Sequence, residues 1–288
     1  MQTLQFTKMH GLGNDFILIP DGVPHLATAA DLAIRLCDRR RGIGADGLVF
    51  LTPTSEANLA MRIFNPDGSE AEQCGNALRC VALYAYERLQ IRRERLLVAT
   101  ASGVKIAEIQ LVDGHAVAVR VAMGRPTLEA AAIPIAAQTN PVPTCRLELA
   151  GRSFEIHAVG IGVPHAVIFV DDLAGVPLEA WGSLIEQHAL FPRKTNVEFV
   201  RRRHADELEM RVWERGVGVT LACGSGACAT LVAAVRSGRS NRRAAVHMPG
   251  GSLHIEWAGD DQLFMTGPAT FVFEGHITEL PDWPKPSV

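Results

Sequence analysis

Lysine is scarce in this sequence. Of 288 residues only Lys8, Lys105, Lys194 and Lys285 are lysines, and none stands where a Schiff base with pyridoxal phosphate would be expected. A cofactor-free route is therefore expected for any chemistry at an amino-acid carbon. A basic excess is missing as well: the formal charge of −3 argues against a nucleic-acid or anionic-membrane surface. The runs Arg39-Arg-Arg41 and Arg201-Arg-Arg203 then read as solvated element ends. The N-terminus lacks the basic segment and apolar core of a signal peptide. The longest small-apolar stretch, 221–235, is broken near its start and too short to cross a bilayer. A cytoplasmic protein with no membrane segment is the expectation. The six cysteines lack the two-residue spacing of zinc knuckles, so no metal site is expected, and without a signal they should be reduced thiols. A disordered composition is absent too, since 48% of the residues are hydrophobic, enough for two domains of ordinary size.

What the chain does have is an internal repeat. Thr220-Leu-Ala-Cys-Gly-Ser-Gly-Ala-Cys-Ala229 echoes Glu72-Gln-Cys-Gly-Asn-Ala-Leu-Arg-Cys80, with the leading cysteines 149 residues apart (223 less 74). At the same offset Met61-Arg-Ile-Phe64 falls on Met210-Arg-Val-Trp213, Gly11-Leu-Gly13 on Gly160-Ile-Gly162, and Ile17-Leu-Ile19 on Ala166-Val-Ile168. Such a match is the mark of a tandem duplication, and it predicts two halves of one topology. Halves related by a pseudo-two-fold axis could bring Cys74 and Cys223 to one cleft from opposite sides.

Apolar alternation predicts strands at 4–9, 16–19, 48–51 and 59–64, the turn Asn65-Pro-Asp-Gly68, and a helix from about Gly75 to Leu89. A meander follows at 96–100, 104–111 and 116–121, with Asp113-Gly114 as its hairpin turn. The proline-rich stretch 126–143 reads as a crossover. The second half repeats the order, with a helix starting at Gly224. The fold class is α+β with mostly antiparallel sheet. The expected domains are 1–122 with 269–288, carrying Cys74, and 123–268, carrying Cys223. Gly42-Ile-Gly-Ala-Asp-Gly47 satisfies a dinucleotide-binding pattern literally, but a strand follows it where a helix is required, so it reads as a turn.

A cysteine at a helix start has its thiolate stabilised by unpaired N–H groups, which should lower its pKa toward neutrality. The same N–H groups, at Gly75-Asn76 and Gly224-Ser225, can hold a carboxylate. Inverting a carbon needs a base on one face and an acid on the other, and two thiols from opposed halves meet that need. Cys37, Cys80, Cys145 and Cys228 read as core residues.

These residues resemble the diaminopimelate epimerase family. The motifs are Gly11-Leu-Gly-Asn-Asp-Phe16, Gly42-Ile-Gly-Ala-Asp46, Asn65-Pro-Asp-Gly-Ser69, Gln73-Cys-Gly-Asn76, Thr195-Asn-Val-Glu-Phe199, Glu214-Arg-Gly216 and Ala222-Cys-Gly-Ser-Gly-Ala-Cys228. The resemblance implies two similar domains, each a barrel-like sheet around a central helix, and a homodimer. It implies an isomerase of lysine and peptidoglycan precursor synthesis that interconverts LL- and meso-diaminopimelate, a small-molecule amino-acid substrate. Cys74 and Cys223 are implied as the catalytic thiols, with His165 and Glu214 tuning their pKa values. Gly75, Asn76, Gly224 and Ser225 are implied around the α-carboxylate, and Asn14, Asn65, Asn196, Glu214 and Arg215 as further substrate contacts. Two positions depart from the family: Val163 stands where an asparagine is usual, and Gly47 where some relatives carry glutamine. A racemase of another amino acid, or a silent amino-acid-binding protein, is the alternative.

Overall fold

The structure, a computed structural model, describes residues 4–20, 22, 26–72, 74–136, 144–149 and 151–278. Gln73, part of the expected crossover at 126–143 and the stretch 279–288 assigned to the first domain lie outside the described residues. The chain divides into two compact units, one made of residues up to Val121 and from Pro268 onward, the other of Ala122–Gly267.

The first unit opens on β1 (Leu4–Gly11) and β2 (Asn14–Ile19), an antiparallel hairpin. There follow α1 (Leu26–Leu36), β3 (Gly47–Thr52), β4 (Leu59–Phe64), the short β5 (Glu70–Ala71) and α2 (Gly75–Glu87). Then come β6 (Arg95–Thr100), β7 (Gly103–Val112) and β8 (His115–Gly124). The turn between β7 and β8 places Asp113 (φ 51°) and Gly114 (φ 78°) in the left-handed region, as a tight hairpin needs and as the Asp-Gly pair predicts. In the second unit β9 (Cys145–Leu149), which the sequence reading did not find, leads into β10 (Arg152–Ile161) and β11 (Val163–Phe169). Next are α3 (Leu178–Glu186), β12 (Asn196–His204), β13 (Glu207–Glu214), β14 (Gly218–Thr220) and α4 (Gly224–Arg236). β15 (Arg243–Met248), β16 (Gly251–Trp257) and β17 (Leu263–Gly267) end this unit, and β18 (Thr270–Ile277) pairs with β1.

The repeat extends to strand register. β2 and β3 are parallel with Phe16 opposite Gly47, and β11 and β12 are parallel with His165 opposite Asn196, each residue 149 beyond its counterpart. Leu48 faces Phe64 and Val197 faces Trp213 at the same offset. Past the helices the offset becomes 148: Leu59 pairs with Val98, and Leu208 with Val246. The second half has lost one residue in the turn that follows its helix.

α2 and α4 are small-residue helices buried on nearly every side, from Asn76 to Tyr86 in one and from Gly226 to Ala234 in the other. A helix apolar all round belongs inside a fold, and each packs against the strands of its own unit, α2 on β1, β2, β6 and β7, α4 on strands from β10 to β17. The shorter helices α1 and α3 instead present a single apolar face. Ala29, Leu32, Ala33 and Leu36 of α1 meet Ile17, Ile19, Leu48 and Phe50, while Leu178 and Ile185 of α3 meet Ile168, Val197 and Phe199. β2 and β3 are thus covered on both faces, which is why they read as the unbroken apolar runs Phe16-Ile-Leu-Ile19 and Leu48-Val-Phe-Leu51.

Two glycines of the repeat are needed for close approach. A Cβ on Gly11 would sit 2.7 Å from Arg79 Nη2, and one on Gly160 only 2.3 Å from Thr127 Cγ2. The Gly42–Gly47 segment is a turn, as expected: the N–H groups of Ile43 and Gly44 both bond back to the carbonyl of Leu36 at the end of α1. Among the described residues no helix is long and apolar enough to cross a membrane.

Candidate active site

Each of the two motif cysteines caps an inner helix. Cys74 precedes α2 with extended backbone (φ −147°, ψ 117°), and Cys223 precedes α4 in nearly the same conformation (φ −127°, ψ 112°). The extended residue ends a connection from the sheet, and the small residues that follow, Gly75-Asn-Ala77 and Gly224-Ser-Gly226, let the helix start deep among the strands.

In the first unit Cys74 is half-buried, and its thiol donates to Asn14 Oδ1 at 3.8 Å. Asn76, the second residue of α2, donates from Nδ2 to the same oxygen at 3.0 Å. Asn14 starts β2, so the hairpin delivers its amide to the helix end. Its own Nδ2 donates to Asp46 Oδ2 at 2.9 Å. Asn65 closes the turn after β4, its Nδ2 donating to Ser69 Oγ at 2.9 Å. Gly47 opens β3, where a Cβ would lie 3.3 Å from the Phe16 ring and the Phe64 carbonyl. A side chain at 47 therefore requires its neighbours to give by a few tenths of an ångström.

In the second unit Cys223 is buried, its sulfur accepting from Gly226 N at 3.4 Å and lying 3.5 Å from Ser225 Oγ. Glu214, at the end of β13, accepts from Thr220 Oγ1 at 2.5 Å. Burial pushes the Glu214 carboxyl up, against the hydrogen bonds it receives from Thr220 and from the Cys223 thiol. His165 and Glu198 lie side by side on β11 and β12, both fully buried, with Nδ1 of His165 2.6 Å from Glu198 Oε1. The parallel pairing that sets His165 opposite Asn196 brings Glu198 two residues further along to this ring. Nε2 of His165 and Oε2 of Glu198 have no hydrogen-bond partner among the described residues. Asn196 is buried and spends its Oδ1 on Arg215 N–H at 2.7 Å, while the Arg215 guanidinium donates to the Arg193 carbonyl at 3.2 Å. Glu186 of α3 braces the same turn, accepting from Trp213 Nε1 at 2.7 Å and from Gly216 N at 3.1 Å.

The expectation that a helix start draws the thiol pKa toward neutrality is corrected at Cys223. The helix N–H is there, but burial of the sulfur, then the nearby Glu214 and Glu198 carboxyls, push its pKa well above the ordinary thiol value. Of the cysteines read as core, Cys37 and Cys80 are buried and pushed up to about 12 chiefly by that burial, and Cys228 is buried. Cys145 is only half-buried on β9. Glu198, Thr220 and Asp46 were not singled out as site residues. Glu198 carried a signal, a carboxylate inside the apolar run Val197-Glu-Phe199 where every residue is buried; a charge on such a strand needs a partner.

The sequence matches the family profile described as diaminopimelate epimerase over residues 6–129 and 157–272. A diaminopimelate epimerase of Pelotomaculum thermopropionicum is 50% identical over 94% of this chain and 98% of its own length. That of Desulforudis audaxviator is 51% identical at the same coverages, and that of Methanococcus maripaludis 44% identical over 95% and 99%. Among solved structures, a hydroxyproline epimerase from Agrobacterium vitis superposes with a TM-score of 0.71 at 18% identity, covering 97% of this chain and 94% of its own. A phenazine biosynthesis protein of the PhzF family from Bacillus anthracis gives 0.71 at 13% identity, over 97% and 100%. These distant structures share the two-domain α+β fold. The chain belongs to the diaminopimelate epimerase family and is an isomerase.

Proposed function

We propose that the chain interconverts LL- and meso-diaminopimelate by passing a proton through two thiols, Cys74 and Cys223, in the supply of lysine and peptidoglycan precursors. The observation that carries the reading is that both thiols cap equivalent inner helices at one offset of the repeat. In each direction one thiolate takes the α-proton, the carbon becomes a carbanion, and the other thiol returns a proton to the opposite face. The enzyme is left with its roles exchanged. The N–H groups at Gly75, Asn76, Gly224 and Ser225 suit the α-carboxylate, since helix starts carry unpaired donors and partial positive charge. They also stabilise charge that builds on that carboxylate as the carbanion forms. Burial and the two carboxyls favour the thiol form at Cys223, the form that can return a proton to the carbon. Arg215, a fixed fork of donors, suits a distal carboxylate. A cytoplasmic homodimer is part of the proposal.

The test is incorporation of deuterium at the α-carbon in heavy water across a panel of amino acids. Diaminopimelate should exchange fastest. Cys74→Ala and Cys223→Ala should each lower epimerisation by about 100-fold or more, the usual scale for losing a general acid or base, while remaining folded. Near-parent turnover in either variant would remove that thiol from the reaction. Faster exchange of another amino acid would assign a different racemase activity, and exchange of none would leave a binding protein.

A further inference from the structure

Asn14 faces Cys74 with a particular end of its amide, and the pair it forms with Asn76 does not decide which. Asn76 Nδ2 donates to Asn14 Oδ1, but turning both amides over would leave an equivalent N–H···O bond running the other way. The turned arrangement would even supply Asn76 Oδ1, a buried oxygen with no hydrogen-bond partner among the described residues. In one orientation Cys74 meets an acceptor, and in the other it meets an N–H donor. An acceptor suits a thiol, whose S–H can donate to it; a donor suits a thiolate.

What breaks the tie is Asp46. Its Oδ2 lies 2.9 Å from Asn14 Nδ2 and 3.1 Å from Asp15 N, and an ionised carboxylate can only accept. The nitrogen of Asn14 must therefore face Asp46, and its oxygen must face Asn76 and the Cys74 sulfur. Asp46 is in turn held still. Arg39 Nη2 bonds both Asp46 Oδ1 and Asp15 Oδ1 at 2.7 Å, and Arg39 Nη1 reaches Asp15 Oδ2 at 3.1 Å. Lys8, buried, pairs with Asp15 Oδ2 at 2.7 Å and donates to the Gly44 carbonyl. Asp46 N–H donates to Asp15 through both its carboxylate and its carbonyl. Two cations thus balance two carboxylates. The second half has no such arrangement, since 149 residues on from Asn14, Asp15 and Asp46 stand Val163, Pro164 and Thr195.

We infer that Asp46, clamped by Arg39 and Asp15, is a positioning residue that fixes the amide direction of Asn14 so that Cys74 is presented with an acceptor oxygen. The inference rests on the reading of Cys74 and Asn14 as parts of the reacting site.

The parent is compared with Asp46→Ala, Asn14→Ala and the double variant, with thermal unfolding as the check on folding. If Asp46 acts through Asn14, Asp46→Ala lowers kcat/KM for diaminopimelate roughly tenfold, the size of one hydrogen bond to a charged group, and costs nothing further once Asn14 is alanine. Asp46→Asn can still accept from Asn14 but no longer must, so it falls between the parent and Asp46→Ala; it also serves if the alanine variant does not fold. A second readout needs no substrate. Alkylation of Cys74 by iodoacetamide, followed on the Cys74 peptide by mass spectrometry at a single pH, speeds severalfold in Asp46→Ala, because the released amide can turn an N–H toward the sulfur. Additive losses in the double variant, or parent-like alkylation of Cys74 in both Asp46 variants, overturn the inference. Parent turnover in Asn14→Ala would instead strike the reading of the site, and the alkylation rate would still judge the clamp.

Discussion

Cys74 and Cys223 hold equivalent places in the repeat but have unlike neighbours. Next to Cys223 stand Glu214, Glu198 and Thr220, with His165 on Glu198; the residues 149 positions earlier are Asn65, Val49, Ala71 and Phe16. Every ionisable group of that cluster is neutral in the first half, where Cys74 meets amides. A duplicated scaffold has thus been given different acid–base surroundings on its two thiols. Glu214 raises the Cys223 pKa by repulsion between a carboxylate and a forming thiolate. Glu214→Gln keeps the shape and removes that charge, so iodoacetamide at pH 8 should alkylate Cys223 severalfold faster, while epimerisation falls. Unchanged alkylation on the Cys223 peptide would mean that the Glu214 charge does not reach the sulfur.

At the scale of elements, the two inner helices differ at their third residue, Ala77 in α2 and Gly226 in α4. An added Cβ at Gly226 would lie 2.8 Å from Glu198 Oε1 and 3.3 Å from the Cys223 sulfur. The first half tolerates alanine because Val49 occupies the place of Glu198. Alanine normally favours a helix over glycine by up to about 1 kcal/mol. Here Gly226→Ala should lower the unfolding temperature, because Glu198 is locked against His165 and cannot yield cheaply. A higher unfolding temperature would show that Glu198 has room to move. The same comparison explains why β12 carries a carboxylate inside: it serves the helix start of its own unit.

For the molecule as a whole, stability follows pH through groups whose pKa differs between folded and unfolded states. Arg39 and Lys8 hold the Asp15 carboxyl far below the usual carboxylate range, outweighing the burial that opposes them. A depressed folded pKa gives stability that is fully present above the unfolded value of about 3.9 and is lost as pH falls below it. Glu214 has the opposite sign. Its folded pKa is raised, so its stabilisation is present at low pH and is lost as pH rises through the folded value. Asp15→Asn should then cost about 3 kcal/mol at pH 7, since it leaves Lys8 buried without its carboxylate, and the gap from the parent should narrow by pH 2.5. Thermal unfolding of both proteins at the two pH values measures this; a constant gap would place the effect in packing and not in charge.

The sequence alone determined the duplication, the fold class, the two cysteine-capped helices and the hairpin at Asp113-Gly114, because these depend on local periodicity, turn chemistry and matching words along one chain. The short strands β5 and β14 and the strand β9 escaped it, since two to five residues carry too little pattern without the neighbour they pair with. The tertiary structure alone decided the environment of each thiol. A helix start by itself favours a thiolate, and that local argument holds for both cysteines. Whether it prevails depends on charges from distant segments: Glu198 reaches Cys223 through the parallel pairing of β11 and β12, and Asp46 reaches Asn14 across the turn that follows α1. Burial multiplies such through-space terms, and neither burial nor through-space distance is written in local sequence.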